Sequence, residues 1–205
     1  MSAAREYGLD DEDGLDSEYR WPRPPAGGWT ADDLDRLPNL PPHTELIDGS
    51  LVLMSPQTRF HSRAIHFLVG ELTKQAPEHL EAIGEMTVRM DRRNRPEPDV
   101  LVVPVAADDG PEQTWFKPED VLLAVEVVSA DSMVRDREVK PRKYARAGVP
   151  HFWRVEKSDE GAVVYVYELD PATHAYGPVG IFHKELKVDL PFPIEIDLTT
   201  LDRRR

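Results

Sequence analysis

Three residues could do chemistry together: Asp99 directly after Pro98, Glu126 inside the run Val121–Ser129, and Lys140 further on. Seven of the nine residues in Val121–Ser129 are apolar, so the run reads as a buried strand. Alternation puts Val121, Leu123, Val125 and Val127 on one face and Leu122, Ala124, Glu126 and Val128 on the other. A carboxylate at position 126 loses hydration and needs a metal, a cation or a raised pKa. A neighbouring strand headed by Asp99 can bring a second carboxylate beside it. Paired carboxylates suit a hard divalent cation, which prefers oxygen ligands and keeps several waters. Such an ion lowers the pKa of water and neutralises charge on a phosphate under in-line attack. A lysine alongside can orient the water or stabilise the transition-state oxygens. The chemistry expected is metal-assisted phosphodiester hydrolysis. Each residue also has a plain structural reading: Glu126 surfacing or pairing with an arginine, Asp99 capping a turn, Lys140 pairing with Asp136 one turn earlier.

The elements that must position these groups follow from patterning. Residues 1–28 are acidic and then rich in Pro and Gly, and are expected to be disordered, with Trp21 as a pin. Residues 29–205 are expected to form a single domain. Thr30–Asp33 carries a helix N-cap signal, predicting a short helix to about Leu37. Thr44–Ile47, Asp48-Gly49 and Ser50–Met54 predict a hairpin. Ile65, Leu68, Val69 and Leu72 mark the inner face of a helix from Thr58 to Gln75. Strands are expected over Gly84–Met90, Asp99–Val103 and His151–Val155, with Phe152 and Trp153 in the core. A helix should run to Ala147 and stop at Gly148, with a late start or kink near Asp136–Lys140 because of Pro141. Ala162–Leu169 pairs with Val179–Leu186, and Lys187–Leu198 closes the domain as an edge strand. The mixture fits an α/β or α+β domain around a mixed sheet.

Composition narrows the function classes. The chain has 205 residues, enough for a real core, and no cysteine, which excludes disulfides, thiolate metal sites and cysteine nucleophiles. Its start lacks an apolar signal region and no run approaches a membrane span, so the cytoplasm is the expected location and no membrane partner is expected. A net charge of −13 argues against nonspecific coating of nucleic acid. Basic residues nevertheless gather at Arg89, Arg92, Arg93 and Arg95, and again at Arg135, Arg137, Lys140, Arg142, Lys143 and Arg146. Either cluster could be a solvated face or a local surface for a polyanion.

Glu45–Pro56, His61, Pro98-Asp99-Val100, Glu126–Ser129, Asp136, Lys140, Tyr144–Pro150 and Phe152-Trp153 together resemble the Uma-two family of restriction-endonuclease relatives, in the PD-(D/E)XK nuclease superfamily. The resemblance covers about Leu37 to Leu198. It implies a restriction-endonuclease-like fold, a central mixed sheet flanked by helices, and a magnesium- or manganese-dependent endonuclease acting on DNA. It further implies Asp99 and Glu126 as metal-binding carboxylates, the Val127 carbonyl as a further ligand, Lys140 as the site lysine with Lys143 as its substitute, and Glu45 as an added acidic residue. A homodimer is compatible with such folds. The superfamily's usual lysine would fall at position 128, where this chain has Val128.

Two other functions compete. Val128 and the acidity fit a catalytically inactive interaction protein that keeps the nuclease fold. A hydrolase of another phosphoester is the third reading, while the absence of a Gly-rich phosphate loop speaks against a nucleoside-triphosphate enzyme. His61 opens the helix near the hairpin and is a candidate for supporting the site; His66 reads as a surface or packing residue.

Overall fold

A computed structural model describes residues 23–202. Most of the segment expected to be disordered, Trp21 included, lies outside the described residues.

A six-stranded mixed sheet is the centre of the fold. Its strands are β3 (Leu80–Gly84), β5 (Val100–Pro104), β7 (Leu123–Val127), β8 (His151–Ser158), β9 (Gly161–Asp170) and β10 (Ala175–Phe182). The spatial order is β10-β9-β8-β7-β5-β3. All neighbours are antiparallel except β7 and β8. A parallel pair needs a crossover, and α2 (Lys140–Ala147) supplies it. Smaller pairs surround the sheet: β1 (Glu45–Ile47) with β2 (Ser50–Val52), β4 (Thr87–Val88) with β6 (Trp115–Phe116), and β11 (Glu185–Val188) with β12 (Ile194–Asp197). The chain is therefore α+β, with a mixed sheet covered by helices.

Each face of the sheet buries its own cluster. Leu123, Val125 and Val127 of β7 point to the side of α1 (Arg59–Gln75), against Leu68 and Leu72. Ala124 points the other way, toward Val149, Phe152 and Tyr144 of α2. Phe152 and Trp153 are both buried, as the alternation requires. Thr58 caps α1, its hydroxyl accepting the His61 N–H at 3.2 Å.

Several boundaries differ from expectation. The short helix after Thr30 does not form. The Asp33 carboxylate accepts both the N–H and the hydroxyl of Thr30, at 2.7 and 2.8 Å, and the segment folds as successive turns. Main-chain bonds from Trp29 to Gly49 and from Ala31 to Arg92 pin those turns down. The strand expected over Gly84–Met90 is split. Leu80–Gly84 joins the main sheet, Glu85 turns left-handed (φ 55°), and Thr87-Val88 pairs separately with Trp115-Phe116. The partner of β9 is Ala175–Phe182, earlier than expected, because Leu186 and Val188 pair with Ile196 and Ile194 instead. The Asp48-Gly49 turn has positive φ at both residues, 52° and 81°, as a two-residue hairpin of this kind requires.

The start of α2 answers the awkward Pro141. Residues Arg135–Val139 form a π-helical turn, and Pro141 sits in the first turn of the α-helix that follows. The wider turn absorbs the missing proline N–H. Gly148 ends the helix in the left-handed conformation, φ 88°.

Candidate active site

Lys140 is the hub. Its Nζ lies 2.7 Å from Glu45 Oε1, 2.9 Å from Glu126 Oε2 and 3.4 Å from Asp136 Oδ1. The residue is 2% exposed, and Glu45, Glu126 and Asp136 are each 1% exposed. Glu126 comes from β7. Lys140 and Asp136 come from the crossover that packs on the same face. Glu45 comes from the distant hairpin, tied down where Leu46 and Arg95 exchange main-chain hydrogen bonds of 3.0 and 2.8 Å. The N–H of Glu97 then donates to Glu45 Oε1 at 2.8 Å.

Asp99 directly precedes β5 and is held from the α1 side. His61 Nε2 is 3.2 Å from its Oδ1, and the Val127 N–H donates to its Oδ2 at 2.5 Å. Glu126 is held from the α2 side, where the Tyr144 hydroxyl donates to its Oε1 at 2.5 Å. Asp99, Glu126, Glu45, Asp136 and Lys140 all line one cavity of about 460 Å³. Lys143 faces elsewhere, its Nζ 2.6 Å from Asp48 Oδ1 on the hairpin turn. Val127 engages Asp99 through its N–H. His66 bonds the Ser62 carbonyl within its own helix and also reaches the cavity rim.

The electrostatics follow from charge count. Six carboxylates line the cavity, from Glu45, Glu85, Glu97, Asp99, Glu126 and Asp136, against the single lysine. Burial opposes the charge of Lys140, but the carboxylates of Glu126, Glu45 and Asp136 outweigh it and hold its pKa well above the ordinary range. Burial pushes Glu126 well up, and Asp136 and Asp99 add repulsion that Lys140 only partly offsets. Asp136 is raised for the same reasons. Glu97 is raised by burial despite its contact with His43, whose own pKa Glu97 raises. The two directions agree in sense: both groups hold protons more tightly than when free.

This surplus is what a hard divalent cation fits. Glu45 Oε2 is buried without a hydrogen-bond partner, and the carboxylate oxygens far outnumber the ammonium that serves them. Among the described residues no group of three His, Asp or Glu side chains is close enough to hold an ion by itself. Magnesium-like ions commonly take one or two carboxylates and keep several waters, so a preformed cage is not required.

Three participants were not assigned roles from the sequence: Asp136, Tyr144 and Glu97. Asp136, Lys140 and Tyr144 recur at intervals of four, which is the signal that places them on one helix face. His61 does reach the site, through Asp99. The basic runs mostly do not. Arg95 is buried against Asp35 and Thr114, Arg89 pairs with Asp32 over the Trp115 ring, and Arg93 donates to the Asp48 carbonyl. No described helix is long and apolar enough to cross a membrane.

A crystal structure described as "a putative nuclease belonging to DUF820 from Anabaena variabilis ATCC 29413" superposes with TM-score 0.66 at 17% identity, covering 84% of this chain and 96% of that one. The apo form of NucC from E. coli MS115-1 overlaps at TM-score 0.31 and 17% identity, over 50% of each chain. No curated protein matches. The Uma2 family model, described as "Putative restriction endonuclease", matches residues 31–201, and the chain belongs to that family.

Proposed function

We propose that the protein is a metal-dependent endonuclease that hydrolyses phosphodiester bonds in DNA at the cavity around Lys140. One observation carries the reading: a buried ammonium is fixed among Glu45, Glu126 and Asp136, in a cavity that also contains Asp99. A fold-stabilising ion pair needs one carboxylate; three around one lysine leave an anionic excess that costs stability unless a cation joins. Asp99 and Glu126, with the Val127 carbonyl, would hold magnesium or manganese. When bound, that ion would supply Lewis-acid stabilisation of the charge developing on the phosphate.

The chain's own residues do the rest. Lys140 stays protonated, so it acts as a fixed positive charge facing the cavity where the attacking water and the phosphate would lie, not as a base. Attack forms a new bond between the water oxygen and phosphorus, and the bond from phosphorus to the leaving deoxyribose oxygen breaks. The water gives up one proton and the leaving oxygen gains one. Tyr144 and Lys140 each fix one oxygen of Glu126, and His61 and the Val127 N–H fix those of Asp99. Both carboxylates are thereby oriented before a substrate arrives. The position of Lys140 supports an ammonium supplied by the crossover helix in place of the β7 position that Val128 occupies.

Nicking of supercoiled plasmid with magnesium or manganese tests the proposal. Wild type should convert it to the open circle, and Asp99→Ala and Lys140→Ala should each lose on the order of 10²-fold or more in rate. Equal cleavage by all three would sink the assigned site. Absence of cleavage by wild type, with the protein folded, would favour the inactive interaction protein.

A further inference from the structure

A second cavity of about 460 Å³ lies on the other flank of the crossover helix, between α2 and the β9–β10 hairpin. Its character is opposite to that of the first. Arg137, Arg142, Arg146 and Arg154 line it against the single carboxylate of Glu138, in a chain of net charge −13. Much of that charge is uncommitted. Arg137 and Arg154 share one partner, Glu156. Glu138 Oε2 is 3.9 Å from Arg142, a loose contact between exposed side chains. Arg146 makes no ion pair among the described residues. The floor is aromatic. Tyr176 stacks on Phe152 at 5.5 Å, Tyr167 leans on it at 5.8 Å, and the Arg154 guanidinium lies 5.8 Å from the centroid of the Tyr167 ring.

Guanidiniums beside aromatic rings, in a hollow sized for a small planar anion, suit a nucleotide unit: phosphate on Arg142 and Arg146, base against Tyr167. The reacting cavity is acidic and cannot attract a polyanion by itself, so affinity for nucleic acid has to come from another surface. We infer that the Arg142–Arg146–Tyr167 cavity is a binding site for single-stranded nucleic acid, separate from the Lys140 cavity. The choice of nucleic acid as ligand rests on the nuclease reading above. A duplex presents no free base face to the Tyr167 floor, which is why a single strand is preferred.

Fluorescence anisotropy with a labelled oligothymidylate of about 12 nucleotides, in chelator so that nothing is cut, tests this on the full chain. Wild type and Asp99→Ala should bind alike. Arg142→Glu/Arg146→Glu should weaken binding at least about tenfold and flatten its dependence on log salt by roughly two charges. Arg36→Glu/Arg92→Glu makes the same charge change on exposed positions elsewhere and should cost less than about threefold. Tyr167→Ala should weaken the strand about fivefold or more. Unlabelled duplex should compete poorly. The site is overturned if wild type does not bind, if the two arginine pairs behave alike, or if duplex displaces the strand as well as single strand does. Plasmid nicking without strand binding would overturn this site and leave the nuclease; strand binding without nicking would do the reverse.

Discussion

Lys140 Nζ stands 2.9 Å from Glu126 Oε2 although one residue begins a helix and the other lies inside a core strand. Removing the lysine strands three buried carboxylates. Lys140→Met should therefore cost on the order of 3–5 kcal/mol by denaturant unfolding. The loss should shrink at acid pH, where the carboxylates take up protons. A loss independent of pH would mean that packing, not charge, dominates.

Glu126→Gln should act in the opposite sense on stability. It removes one negative charge from an anionic cluster while keeping the shape and leaving Lys140 with Glu45 and Asp136. The metal-free variant should melt at or above the wild-type temperature at neutral pH, yet have no nicking activity. A variant several degrees less stable than wild type would show that the Glu126 charge is stabilising.

The pH dependence has a definite sign. Glu126, Asp136 and Glu97 all have raised pKa values in the fold. The native state then binds more protons than the unfolded chain above the ordinary carboxylate range, and stability falls as pH rises through the folded values. His43, also raised, adds to the same trend near its own range. Lys140 is raised from an already high value and contributes no slope below about pH 9. Asp35, Asp48 and Glu195 are lowered and act only below the ordinary carboxylate range, whereas His151, lowered by burial, opposes the trend near neutral pH and partly offsets it. Thermal melts of the metal-free protein should show higher stability at about pH 5.5 than at about pH 7.5, with a weaker slope for Glu126→Gln.

Divalent ions should reverse that trend. Manganese or magnesium at about 100 times its dissociation constant should add about 2.7 kcal/mol to the stability of wild type. The gain should be largest at neutral pH, where ions do not compete with protons, and absent in Asp99→Ala. A gain that survives Asp99→Ala would place the ion elsewhere.

Tyr144→Phe should keep the fold and lose the hydrogen bond to Glu126, a charge-assisted contact worth about 1.5–3 kcal/mol. If the tyrosine orients Glu126, nicking should slow at saturating DNA with little change in the half-saturating DNA concentration. A pure rise in that concentration would assign Tyr144 to binding.

What was legible from the chain divides by range. Val121–Ser129 announced a core strand with a misplaced acid, and Pro141 announced trouble at the start of the helix; both are local signals. The i, i+4 spacing of Asp136 and Lys140 is equally local and predicts the contact between them, while Tyr144 one turn further on carries no expected role. The burial of Glu45 was not legible, because it depends on the Leu46–Arg95 bridge between segments far apart in sequence. The fate of Arg95 was hidden for the same reason: its partners Asp35 and Thr114 come from two other loops. The helix expected after Thr30 does not extend beyond turns although Asp33 caps the Thr30 N–H, because Pro38 leaves it too few residues.

The one parallel pairing in the sheet also governs how the site comes into being. Because β7 and β8 run the same way, Glu126, Asp136, Lys140 and Tyr144 belong to a single strand–helix–strand unit, contiguous from Leu123 to Ser158. Glu45, His61 and Asp99 are delivered by chain that is synthesised earlier but must close long loops to arrive. Loop closure is the slow, entropically costly part of folding. The ammonium and its strand carboxylate can therefore meet early, and the half-cluster they form gains its remaining side chains only as the last long-range contacts close. Competence for chemistry is thus tied to completion of the whole domain.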